Sequence, residues 1–249
     1  MNSVEGKVIL VTGAARGIGA AIAARLSETA EALVLTDIAD FDPSLPCAAH
    51  VIRGDLGDPT VPPRLVEETL ARFGRIDGLV NAAGLTTRGS FFSSDATLFD
   101  RLFAVNTRAP FQLMGGAIAD MRARAAPGSI VNIQSMNAHG GAPDLAIYSA
   151  TKGALQTLTT NAAHAHLSDR IRVNGINLGW VDTKTERQLQ EETLGKGAGW
   201  MAKNAPKMPI GRFVSEDDAA RLALYLLSDD SAPMTGVSLD LEQIVMGGL

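Results

Sequence analysis

The chain of 249 residues carries 46% hydrophobic and 20% charged residues, a net charge of -5 and a single cysteine, Cys47. That composition can bury a sizeable core, gives no basic stripe to neutralise nucleic-acid phosphates, and excludes an intramolecular disulfide. No apolar run reaches the roughly 18 residues of a membrane span, and the start MNSVEGKVILVTG lacks a leader pattern, so a cytoplasmic protein that binds neither membrane nor nucleic acid is expected.

Along the chain, short aliphatic runs alternate with stretches of helical period. A first strand, KVILV (7–11), leads through a glycine turn into a helix with Ile18, Ile22 and Leu26 on one face. A second, ALVLT (32–36), precedes a loop with two prolines (38–48), and HVIR (50–53) precedes a helix marked by Leu65, Leu70 and Phe73. GLVN (78–81), a helix near 108–125, SIVNIQ (129–134), a helix over 148–167, IRVNGI (171–176), a helix over 216–228 and VSLDL (237–241) complete the series. The alternation predicts an α/β protein, one doubly wound domain over 1–249, with a seven-stranded parallel sheet between helices on both faces and right-handed crossovers. Residues 183–209 break the pattern by mixing polar helix formers with Gly195, Gly197 and Gly199, and are expected to form a substrate lid.

VTGAARGIG places Gly13, Gly17 and Gly19 between the first strand and the first helix. A pyrophosphate approaching a helix N-terminus needs backbone free of side chains, and the N–H groups and dipole there favour negative charge. The spacing is Gly-x-x-x-Gly-x-Gly, not Gly-x-Gly-x-x-Gly, and glycines needed only for close helix–sheet packing are the alternative. Asp37 closes the second strand, where a carboxylate accepts from the adenosine ribose hydroxyls and repels a 2′-phosphate. NAD is therefore expected over NADP, with Arg16 pulling weakly the other way.

Tyr148 and Lys152 lie four apart on one helical face. Alone, such a pair reads first as surface amphipathy, Ser135 as a strand-end cap, Asn106 as a helix-terminus hydrogen bonder and Asn81 as a turn residue. Together, TGAARGIG, Asp55-Leu56, NAAG (81–84), Asn106, Ser135 and Tyr148-Ser-Ala-Thr-Lys152 resemble the short-chain dehydrogenase/reductase family over nearly the whole chain. The resemblance implies a Rossmann-type domain, a nicotinamide cofactor, and interconversion of an alcohol and a carbonyl compound. It implies catalysis by Asn106, Ser135, Tyr148 and Lys152, with Asn106 holding a water that passes the proton from Lys152 onward. It further implies that Gly13, Arg16, Gly17, Ile18, Gly19, Asp37, Asp55, Leu56, Asn81, Gly84, Gly179, Val181 and Thr183 bind cofactor together with Tyr148 and Lys152. A homo-oligomer, dimer or tetramer, follows in the same way, packed through the small residues Ala150, Gly153, Ala154 and Thr157 and the helix near 108–125.

The chemistry can also be argued from the residues. A hydride leaving an alcohol carbon requires a group that takes the hydroxyl proton, and a Tyr148 phenolate suits. Bringing tyrosine from near 10 toward neutrality takes roughly 2 to 3 units, which the Lys152 ammonium is expected to supply by Coulomb attraction. Ser135, at a strand end, would hold the substrate oxygen. Gln134, Asn137, His139 and Trp180 are the candidate substrate residues, suited to a sugar, a polyol or another small polar alcohol or ketone; Trp180 either stacks on the substrate or seals the lid hinge. His50, His139, His164 and His166 lack metal-ligand spacing, and no Gly-x-Ser-x-Gly surrounds Ser135, so neither a metal site nor a hydrolase triad is expected. Tyr225, in RLALYLL, reads as core. Leu178 stands where the family has proline, loosening that turn modestly, and Glu242-Gln243 stand near the place of its Asp-Gly-Gly. The rivals are an NADP-dependent 3-oxoacyl reductase, disfavoured by Asp37 and the acidic balance, and a dinucleotide-sensing protein without turnover.

Overall fold

A computed structural model describes residues 3–244; residues 1–2 and 245–249, the two ends of the expected domain, lie outside the described residues. The strands are β1 Val8–Thr12, β2 Ala32–Asp37, β3 Ala48–Arg53, β4 Gly78–Asn81, β5 Gly128–Ser135, β6 Ile171–Leu178, β7 Val181–Asp182, β8 Val214–Ser215 and β9 Ser238–Leu241. Seven of them form one parallel sheet in the order β3-β2-β1-β4-β5-β6-β9, while β7 and β8 pair separately. The helices are α1 Gly17–Leu26, α2 Val61–Phe73, α3 Ala96–Phe103, α4 Ala109–Ala123, α5 Ala146–Ala165, α6 Lys184–Gln188, α7 Trp200–Asn204 and α8 Glu216–Leu227.

Both faces of the sheet are covered, which is why its strands read as aliphatic runs and not as alternations. Ile9 and Val11 of β1 point to one face, where they meet Ile22 and Leu26 of α1 and Ala219, Ala223 and Leu226 of α8. Leu10 points to the other, with Leu65 of α2, Leu113 and Met121 of α4, and Ile130 of β5. Tyr225 packs at the edge of the first cluster.

The sequence reading differs from the structure in a few elements. The helix expected over 148–167 is α5, two residues earlier at each end. Helix α3 was not expected; it is capped by Asp95, whose carboxylate accepts from the Leu98 amide at 2.8 Å, and Leu98, Phe99, Leu102 and Phe103 recur at helical spacing along its eight residues. A π turn, Ala104–Arg108, joins α3 to α4. The 183–209 segment contains α6, a second π turn (Leu189–Thr193), α7 and a 3-10 turn (Ala205–Lys207), with the β7–β8 pair at its base. With leucine at 178, β6 stays in register with β5 to the pair Ser135↔Leu178. Among the described residues no helix is long and apolar enough to cross a membrane, and no three or more His, Cys, Asp or Glu residues gather into a metal-binding group.

Candidate active site

Strand order reverses between β1 and β4, so the loops leaving their carboxyl ends diverge and open a crevice. Thr12, the last residue of β1, ties the two sides together: its Oγ1 accepts from the Ala82 and Ala83 amides, each at 3.1 Å. Gly13 follows at φ +68, and a Cβ there would stand 2.8 Å from the Ala83 main chain, so both conformation and space require glycine. A Cβ on Gly19 would strike the Gly13 carbonyl, so this turn is also closely packed in the sense of the alternative reading. Helix α1 begins here with no side chain capping its N-terminus, leaving its first N–H groups turned to the crevice. The Asp37 carboxylate closes the rim, accepting from the Ala15 and Ala39 amides, each at 3.1 Å.

The crevice continues as a cleft of about 720 Å³ toward the ends of β5 and β6. The buried stripe of α5 runs through Ile147, Tyr148, Thr151, Lys152 and Leu155, so the four-residue spacing points tyrosine and lysine inward together. Ser135, ending β5, lies beside them; its Oγ accepts from the Asn137 amide at 3.1 Å, and all three residues line the cleft. Lys152 Nζ donates to the Ile133 carbonyl at 2.8 Å and lies 5.8 Å from the Tyr148 ring centre.

Comparison with known proteins agrees with this geometry. The family model described as Enoyl-(Acyl carrier protein) reductase matches residues 13–243. A 2-(S)-hydroxypropyl-CoM dehydrogenase of Xanthobacter autotrophicus is 32% identical over 250 residues, covering 95% of each chain. A carbonyl reductase [NADPH] of Sus scrofa is 34% identical over 236 residues, covering 92% of each. The crystal structure of L-sorbose reductase from Gluconobacter frateurii, complexed with NADPH and L-sorbose, superposes with a TM-score of 0.91 at 26% identity, covering 100% of this chain and 99% of that one. The chain belongs to the short-chain dehydrogenase/reductase family. It is an oxidoreductase of that family, with the Rossmann-like sheet such enzymes use.

Within this short-chain fold, nearly every residue assigned to cofactor from the sequence borders the cleft: Gly13, Arg16, Gly17, Ile18 and Gly19 at the turn, Asp37, Asp55, Leu56 and Gly84 beyond it, and Gly179, Val181 and Thr183 after β6. Asn81 does not. Its Nδ2 donates to Asn132 Oδ1 at 2.8 Å inside the fold, so the side chain joins β4 to β5 while Ala82, Ala83 and Gly84 face the cleft. Asn106 is also removed from the cleft surface and is fully buried. Its side chain accepts from the Leu85 amide at 2.8 Å and donates to the Leu85 carbonyl and to Thr151 Oγ1, fastening α5 one turn from Tyr148. Asn106 sits in the π turn, where the Ala109 amide donates to the Ala104 carbonyl; Pro110 has no N–H to give the Asn106 carbonyl.

Of the candidate substrate residues, Asn137 and Trp180 line the cleft. Gln134 borders it only by position: the side chain is 2% exposed and donates to Thr159 Oγ1 on α5 at 2.9 Å, because strand alternation puts it on the face of Asn132. His139 pairs with Asp240 at 3.3 Å, outside the cleft lining. Trp180 packs against Trp200 and Phe213, with ring centres 5.1 and 5.3 Å away, and also borders the cleft.

The expected electrostatics of the tyrosine need correction. Burial pushes the Tyr148 hydroxyl up, hydrogen bonding with Ser135 pulls it partly back, and the Glu186 carboxylate adds a smaller upward push. Lys152, fully buried, is itself lowered to about 8 by loss of hydration. Desolvation is the largest influence on both groups.

Several cleft residues escaped the sequence reading. Arg101 of α3 pairs with Asp55 at 2.9 Å; burial opposes ionisation of Asp55, but Arg101 and the Gly57 amide hold it below its ordinary range. Glu186, Gln190 and Lys196 enter from the 183–209 segment. Glu242, which the sequence reading offers for a pocket or a subunit contact, does border the cleft: it accepts from the Trp180 amide at 3.1 Å, and a Cβ on Gly179 would collide with it.

Proposed function

We propose that this oxidoreductase interconverts a secondary alcohol and a ketone with NAD, acting on a sugar, polyol or other small polar substrate. The observation that carries the reading is the convergence of Tyr148, Ser135 and Lys152 on one cleft beside the glycine turn. The residues fit a nicotinamide dinucleotide: an uncapped helix N-terminus would hold the pyrophosphate, Asp37 at the rim the ribose hydroxyls, and Lys152, buried in the cleft lining, the nicotinamide ribose. When bound, that group supplies the hydride acceptor or donor, and its oxidised form adds positive charge near Tyr148.

The chain's own groups handle the proton. Tyr148 takes it from the substrate hydroxyl or returns it, and Ser135 Oγ orients the substrate oxygen. Lys152, poised near 8, releases and regains a proton close to neutrality. By family resemblance, Asn106 would hold a water that carries that proton outward.

Asp37 supports NAD through its charge, which a 2′-phosphate would meet head on. The NADPH in the sorbose reductase complex and in the name of the carbonyl reductase belongs to those proteins, and in this chain Arg16 at the cleft pulls in that direction. The same reading makes the chain one catalytic unit with 183–209 as lid, and a dimer or tetramer across α4 and α5, where Phe111 stays 58% exposed. The deciding experiment offers secondary alcohols and polyols with NAD or NADP and follows absorbance of the reduced cofactor. Turnover with NAD on a polyol supports the reading; turnover only with NADP, or only on acyl thioesters, overturns it.

A further inference from the structure

Helix α6 delivers Glu186 to the cleft, where its Oε1 accepts from Trp180 Nε1 at 2.7 Å and from Gln190 Nε2 at 2.6 Å. The chain of contacts continues: Gln190 Oε1 accepts from Lys196 Nζ at 2.6 Å, and Lys196 lies over the Trp200 ring at 4.2 Å and the Trp180 ring at 5.8 Å. The Glu186 amide donates to Thr183 Oγ1 at 3.0 Å, fixing the first turn of α6. Among the described residues the second carboxylate oxygen, Oε2, has no hydrogen-bond partner, and it is not among the buried atoms left without one.

A carboxylate held this firmly by one oxygen, with the other open, is a prepared acceptor. We propose that Glu186 is the specificity-determining acceptor for a second hydroxyl of the substrate, so that the cleft selects vicinal diols, hydroxyketones and polyols over compounds with a single hydroxyl. The inference rests on the alcohol–ketone reading above and narrows it. Three observations support this choice of ligand. Glu186, Tyr148 and Ser135 line the same cleft, so one small molecule can set a hydroxyl on Glu186 and its reacting oxygen at Tyr148 and Ser135. The acceptor sits beside Trp180, whose ring offers apolar surface to the carbon chain. Lys196 places a positive charge over the same indole, so a substrate ammonium would meet a like charge, whereas a neutral hydroxyl would not. A site built around a substrate hydroxyl discriminates strongly against the analogue that lacks it.

The test compares butane-2,3-diol, butan-2-ol and 3-aminobutan-2-ol on the wild type and on Glu186→Gln, which keeps the side-chain volume and an acceptor for Trp180. Turnover is read with cofactor present; binding is read separately from intrinsic fluorescence, since the chain's two tryptophans both pack at this site. The expected wild type prefers the diol. The substitution should lower that preference about 10- to 100-fold, chiefly through KM and diol binding, the range for a hydrogen bond to a charged group. It should also shift the tyrosine-dependent limb of the kcat/KM profile to lower pH, because a negative charge near Tyr148 is removed. A wild type that prefers the diol with a Glu186→Gln ratio unchanged overturns the assignment and leaves the polyol reading standing. Diol binding that Glu186→Gln abolishes, with no turnover of any alcohol, supports the subsite and sinks the oxidoreductase substrate class. A wild type without diol preference in turnover or binding, or one that prefers the amino alcohol, overturns the proposal.

Discussion

Lys152 Nζ donates to the Ile133 carbonyl at 2.8 Å, and that is the one hydrogen bond its ammonium makes among the described residues. Burial without an acidic partner lowers it from 10.5 to about 8, equivalent to a cost near 3 kcal/mol for keeping the charged form inside. Lys152→Met should therefore stabilise the fold at pH 7 by about 2 kcal/mol, once about 1 kcal/mol is returned for the lost hydrogen bond, while removing activity. The sign follows from linkage: between pH 8 and 10.5 the unfolded chain holds the lysine proton and the folded chain does not, so wild-type stability rises with pH. The advantage of the variant should shrink across that window. Urea unfolding at pH 7 and 9.5 checks this; a variant less stable at pH 7, or a gain equal at both, contradicts it.

Tyr148→Phe should reduce kcat about 10²- to 10⁴-fold, the usual contribution of a positioned acid or base, with cofactor affinity changed little. The packing survives, since Tyr148 is 8% exposed and loses only its hydroxyl. Initial rates on the best alcohol, with a parallel cofactor titration, decide; full activity in the variant would remove Tyr148 from the proton path.

The strands were legible because a sheet buried on both faces leaves unbroken aliphatic runs, and Gly13, Asp37, Tyr148 and Lys152 because their spacing is local. Where side chains point was harder. Gln134 and Asn132 are two apart and share the α5 face, so alternation alone could have removed Gln134 from the substrate set. The π turn around Asn106 has a local cue in Pro110, but a proline near a helix start reads as an ordinary first-turn residue. Glu186 and Lys196 were invisible for another reason: Trp180, Gln190 and Trp200 bring them to the cleft through contacts four to six residues apart across irregular turns, which no strand or helix period records.

Asp37 separates the two dinucleotides by charge, so Asp37→Asn should lower the NADH-over-NADPH affinity ratio by at least about tenfold, or 1.4 kcal/mol. The ratio is the right quantity, because the amide can keep only one of the two backbone bonds that the carboxylate oxygens accept, from Ala15 and Ala39, and the resulting loosening affects both cofactors. Fluorescence titration of each cofactor measures it, and higher salt should narrow the wild-type difference. An unchanged ratio would show that Asp37 only braces the glycine turn.

Thr12 is 1% exposed and is the buried pin between β1 and the chain leaving β4. Valine has nearly its shape, so Thr12→Val isolates the hydroxyl. The substitution leaves the Ala82 and Ala83 amides without the acceptor they share, and each unsatisfied donor costs about 1 to 3 kcal/mol where water cannot replace it. Both amides border the crevice, so part of that loss is recovered by hydration, and a destabilisation of about 2 kcal/mol is expected. The functional effect should be larger than the stability loss suggests: Gly13 packs directly on Ala83, so displacement of the 82–84 segment moves the floor beneath the glycine turn and weakens cofactor binding several-fold. Chemical denaturation together with cofactor titration tests both parts, and loss of stability with unaltered cofactor affinity would mean the pin serves the sheet alone.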